Sequence, residues 1–174
     1  MISAKNVYSG YIRYLLTVLA FFIIKGSVEV KAQQHPPRPI RIDVTSQYLR
    51  FGAFYHGAVG GTVIIDPSGS RSATGDVVLL GLGFPFSPAL FEVHAHPGTV
   101  ISILNSPDVT LLGTPSGSMI LHIGASIPAS PFVSTVQFNV AIPLYIGGTL
   151  TVGNSVSNPP GSYSGTFEIT LVQE

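Results

Sequence analysis

Glycine and proline interrupt this chain so often after residue 32 that no long helix can form. The sequence holds 19 Gly and 14 Pro. Between them lie short runs rich in Val, Ile, Thr, Phe and Tyr. Proline removes a helix donor, and both residues weaken helix interiors, while β-branched and aromatic residues suit a pleated surface. The pattern predicts an all-β fold, an antiparallel β-sandwich of about seven to nine strands.

Period-two alternation places several strands. Ile40, Ile42 and Val44 alternate with Arg41, Asp43 and Thr45, which predicts a half-buried first strand. Leu49, Phe51 and Phe54 mark a second apolar segment. Gly61 to Asp66 is closed by the turn Asp66-Pro67-Ser68-Gly69. Asp76 to Leu82 is nearly continuous and apolar, and leads into the loop Gly83-Phe84-Pro85-Phe86-Ser87-Pro88. Leu90 to Ala95 places Phe91, Val93 and Ala95 on one face. Thr99 to Leu104, Val109 to Leu112, Met119 to Ile123, Val136 to Ile142 and Leu144 to Val152 follow as strands. The last strand, Thr166 to Val172, turns Phe167, Ile169 and Leu171 inward.

The N-terminus differs in kind. Lys5 and Arg13 precede an apolar run from Leu15 to Ile24, and Val30-Lys31-Ala32 ends the polar stretch after it. A basic start, a short apolar core and a small residue read as a signal peptide over residues 1–32. The cut falls after Ala32, or alternatively after Gly26. An uncleaved anchor is the other reading, but the run is short for a hydrocarbon layer of ~30 Å. The expected product is exported to the periplasm, the cell surface or the medium. It has a Pro-rich leader over 33–39, one domain over 40–174 and no stable membrane span.

All three lysines, Lys5, Lys25 and Lys31, lie in the N-terminal segment. Beyond residue 32, four arginines face seven acids, a net charge of −3. Such a chain carries no basic patch to neutralise phosphates, which argues against nucleic acid as a partner. The absence of cysteine excludes disulfides and thiolate metal sites.

Three sets of residues carry candidate chemistry. Glu92, His94 and His96 follow one another at i, i+2 and i+4 on a strand, so they share a face and could ligate a metal. His122 could approach from another strand. The plainer reading is a solvent-facing side whose reverse is core, with Pro97-Gly98 turning His96 away. Phe84 and Phe86, fixed by prolines, could form a partner- or glycan-binding tip, or could instead plug the end of the sandwich. Ile40, Ile42 and Val44 could be donated to a neighbouring subunit, or could form the first strand of their own domain. No Gly-x-Ser-x-Gly elbow and no glycine loop before a helix occurs, so the chain is read as non-enzymatic, with no cofactor.

A longer pattern links these segments. Leu49-Arg50-Phe51-Gly52-Ala53-Phe54 is followed by Gly60-Gly61-Thr62-Val63-Ile64-Ile65 and Pro67-Ser68-Gly69. Then come Phe91-Glu92-Val93, Pro97-Gly98-Thr99, Gly147-Gly148-Thr149-Leu150-Thr151-Val152-Gly153 and Pro160-Gly161-Ser162-Tyr163-Ser164-Gly165-Thr166-Phe167. In order and spacing this resembles the bacterial domain-of-unknown-function family 4402. Its closing Gly-x-Tyr-x-Gly-Thr also looks like that of spore-coat-U-like and fimbrial subunit domains. The resemblance implies an immunoglobulin-like sandwich with a structural, adhesion or fimbrial-like role. Such a protein would pair with itself or another surface protein through a sheet edge. A soluble glycan- or metal-binding module is the alternative. Tyr163 itself is expected to serve the fold, with its hydroxyl bonded to backbone at a corner.

Overall fold

The computed structural model describes residues 39–174. The expected signal peptide, 1–32, and the leader up to Arg38 lie outside the described residues. Thirteen strands account for all the regular structure described: β1 (Arg41–Val44), β2 (Arg50–Phe51), β3 (Phe54–Ile65), β4 (Arg71–Leu79), β5 (Phe86–Ser87), β6 (Ala89–His94), β7 (Val100–Asn105), β8 (Val109–Thr114), β9 (Ser118–Ile127), β10 (Phe132–Val133), β11 (Ile142–Val152), β12 (Ser162–Ser164) and β13 (Ile169–Gln173). Four of these are only two or three residues long. The other nine match the number expected. Among the described residues no helix is long and apolar enough to cross a membrane.

All strand pairings are antiparallel. The large sheet runs β1-β6-β11-β9-β8-β12 and forks at β11. Along one edge β11 pairs with β9 from Tyr145 to Thr151. Its other edge is shared: Ile142 to Ile146 pair with β6, and Gly148 to Val152 pair with β3. Gly147 sits at the fork. A Cβ there would lie 2.5 Å from the Ile65 carbonyl oxygen and 2.8 Å from Pro67 Cδ. Only a residue without a side chain lets β3 leave the sheet there without moving backbone.

The β3–β4 hairpin completes the fork, closed by a turn at Asp66. The Ser68 hydroxyl and N–H both bond the Asp66 carboxylate and hold its pKa below the ordinary value. Midway, the register slips between His56 and Gly61. The Asp76 carboxylate reaches into that irregularity and accepts the Val59 N–H at 2.9 Å. A short polar residue in an apolar run thus marks a bulge.

The second sheet has the order β10-β7-β13, and β2 and β5 form a separate two-stranded ribbon. One core is shared between the two main sheets. Val63, Val93, Leu144, Ile146 and Leu150 from the large sheet meet Ile101 and Phe132 from the small one. Ile103, Ile169 and Leu171 pack against the same cluster. Full burial of each large aliphatic side chain stabilises by roughly 1.5–3 kcal/mol, which is how a cysteine-free chain holds two sheets together.

Three segments depart from expectation. The apolar run from Asp76 to Leu82 is strand only as far as Leu79, in a β4 that begins at Arg71, and with Val78 and Leu82 exposed it is not buried on both faces. Residues 136–141 form no strand; they turn, with the Val140 N–H bonded to the Gln137 carbonyl at 2.9 Å. Ser134, which is buried, donates its hydroxyl to Ala95 and its N–H to Thr99, and so ties this segment over the end of β6. Just before β1, Ile40 packs on the core, but within β1 Ile42 and Val44 are 38% and 73% exposed. The period of two is present. The face it was expected to bury is left largely exposed at Val44 and partly so at Ile42, and among the described residues β1 lies at the outer margin of the large sheet.

Candidate functional site

Strand β6 carries Glu92 and His94, and its neighbour β1 brings Asp43 opposite Glu92. Potential ligand atoms of Asp43, Glu92 and His94 all lie within 4.8 Å of one another. The metal set expected from sequence was Glu92, His94 and His96. The structure draws Glu92 and His94 together, but His96 lies beyond the end of β6 and stacks on the Phe138 ring, with centroids 5.0 Å apart. Asp43 occupies the third place. Cross-strand register decides this, and the spacing of residues along one strand does not reveal it. His122 stays away and pairs with Asp108 at 2.7 Å on an exposed surface.

His94 is 7% exposed. The turn at 136–141 covers it: Nδ1 lies 2.9 Å from the Phe138 carbonyl oxygen, and the Phe138 ring leans on the imidazole at 6.0 Å. The other nitrogen, Nε2, faces Asp43 Oδ2 at 3.4 Å. That oxygen also receives the Arg41 guanidinium at 3.0 Å. The expected solvent-facing side of β6 is therefore half closed. Glu92 is exposed, Asp43 is half-exposed and His94 is fixed beneath them.

The second region is a groove of about 1,060 Å³. Tyr48, Leu49, Phe51, Phe54, Leu111, Met119, Tyr163 and Phe167 are among the residues that line it. Its polar groups are mostly engaged by the protein's own backbone. Gln47 Nε2 donates to the Pro88 carbonyl at 3.1 Å, and His56 Nε2 meets the Asn158 carbonyl at 2.9 Å. The Tyr163 hydroxyl donates to the Pro159 carbonyl at 2.7 Å. This is the corner bond expected for Tyr163. The ring lies over its cross-strand partner Gly113, where an added Cβ would be 2.5 Å from Tyr163 Cε1.

Of the two expected tip residues, Phe84 stands at the rim and Phe86 does not line the groove. Phe84 is 65% exposed and lines the groove, and Phe86 is partly exposed in β5. Neither ring is buried as a plug. Arg71 was missed in the sequence. Its guanidinium carbon lies 5.4 Å from the centre of the Phe86 ring, and its Nη2 donates to the Ala53 carbonyl at 2.5 Å. Burial lowers its pKa from the ordinary arginine value. Arg71 thus anchors the β2–β5 ribbon to the hairpin. Only the fold brings these residues together.

Asn158 was also missed. It is 2% exposed, accepts the Gly153 N–H and donates to the Ser118 carbonyl. Its setting, a loop rich in Asn, Ser and Pro, was the available signal.

The family model described as Domain of unknown function (DUF4402) matches residues 42–172. No curated protein and no solved structure matches the chain.

Proposed function

Since the chain belongs to the DUF4402 family, we propose that it is a non-enzymatic, exported β-sandwich that serves as a structural or adhesion-type component of the cell surface. It assembles with its own kind, or with another surface protein, through a sheet edge. The observation that carries this reading is the margin at β1. Among the described residues that strand is paired on one side only, and it exposes Ile42 and Val44. Open edges are commonly blunted by lysine, and residues 39–174 contain none. A bare apolar edge of this kind suits strand addition, in which backbone bonds supply affinity and alternate side chains supply specificity.

The mass of the full chain in solution, measured by light scattering beside a form lacking residues 33–46, tests the reading. Concentration-dependent oligomers from the first and monomers from the second are expected. Monomers from both would sink assembly through β1. A soluble glycan-binding module is the second reading, favoured by the exposed rings of Phe84 and Tyr48 beside the groove. It predicts saccharide binding that Phe84→Ala abolishes while the mass stays monomeric.

A further inference from the structure

Asp43, Glu92 and His94 share a feature that assembly does not explain. Two carboxylates and an imidazole converge across a strand pair at a surface with few charged residues. The imidazole is the ordered member. It is almost fully buried, and its Nδ1 faces the Phe138 carbonyl. In a neutral ring that bond places the proton on Nδ1 and leaves the Nε2 lone pair directed at Asp43. A backbone carbonyl that fixes the tautomer in this way is the usual outer support of a metal-ligating histidine. In that tautomer Nε2 and Asp43 Oδ2 stand 3.4 Å apart with Glu92 close by, so a cation placed among the three has an imidazole nitrogen and two carboxylates to bind.

We propose that these three residues bind one divalent transition cation of the zinc class, which bridges β1 and β6. One nitrogen and two carboxylate oxygens, with open positions left for water, suit zinc at ligand bonds of roughly 2.0–2.2 Å. The present ligand-atom spacing, up to 4.8 Å, closes by rotation of the exposed Glu92 and half-exposed Asp43 side chains onto the fixed imidazole. Arg41 is the competitor, since its guanidinium holds the Asp43 oxygen that the ion needs. It is solvent-exposed and can swing away. The bridge would fasten β1 to its own sheet, so zinc would oppose release of that strand to a neighbour. That consequence rests on the assembly reading, whereas the site itself does not.

Zinc titration of the full chain by calorimetry tests the site, with X-ray absorption on the loaded protein to report its ligands. One ion per chain is expected, in a nitrogen/oxygen shell containing one imidazole. Asp43→Asn and Glu92→Gln, both at accessible positions, are expected to weaken binding at least tenfold. Arg41→Gln is expected to tighten it severalfold, a gain that a merely structural role for Asp43 would not produce. His96→Gln and His122→Gln are expected to leave it unchanged. Absence of zinc binding would overturn the proposal, as would binding that survives Asp43→Asn but fails in His96→Gln or His122→Gln. Light scattering is read separately. Zinc binding with a monomeric mass at every concentration removes the assembly reading and leaves the site standing.

Discussion

The corner around Tyr163 and the margin at β1 lie on one large sheet and follow opposite rules. At the corner, polar groups are paired inward: Tyr163 to Pro159, Asn158 to Gly153 and Ser118, and His56 to Asn158. At the margin, apolar side chains face water and two carboxylates gather around a buried imidazole. A group satisfied by its own backbone holds the fold together and offers a ligand little. A group left facing solvent or a like neighbour has binding capacity to spare. The contrast separates the residues that maintain the sandwich from those able to engage something outside it.

Substitutions can break this contrast at either end. The largest loss of stability is expected from Asn158→Ala, which strands the Gly153 donor and the Ser118 acceptor in a buried loop. About 2–3 kcal/mol should be lost in urea unfolding. Tyr163→Phe removes one hydroxyl bond and keeps the ring over Gly113, so about 1 kcal/mol is expected by the same measurement. Val44→Lys is expected to change stability by no more than about 0.5 kcal/mol, because the side chain is already exposed. It should nevertheless reduce oligomer mass in light scattering, since lysine guards an open edge. A Val44→Lys protein that unfolds easily, or an Asn158→Ala protein as stable as the parent, would erase the distinction between the two regions.

Much of the fold was legible because it depends on local pattern. Alternation in Thr166 to Val172 places Phe167, Ile169 and Leu171 on the half-buried side, as the structure has them. The turn at Asp66, the corner bond of Tyr163 and the pairing of Glu92 with His94 on one face are likewise short-range. What was not legible depends on register or on neighbours distant in sequence. Asp43 joins the ligand group because it lies opposite Glu92, across 49 positions of chain. Val136 to Ile142 has strand composition, yet residues 136–141 turn and cover His94. Ile42 and Val44 alternate as core residues do, yet both are exposed, Val44 the more so. Periodicity tells which residues share a face. It does not tell whether that face is covered.

The fork at β11 also bears on the order in which the domain can be completed. Ile65 and Gly148 are partners although 83 positions separate them, and β6 waits for the same strand. During synthesis from the N-terminal side, β1, β3, β4 and β6 are made well before β11, and until then neither branch has its common neighbour. Distant pairings form slowly, since loop closure precedes any contact that stabilises it. The hairpin β3–β4 and the pair β1–β6 can each form early, but only the arrival of residues 142–152 joins them into one sheet, so the two branches meet late whatever their own stability.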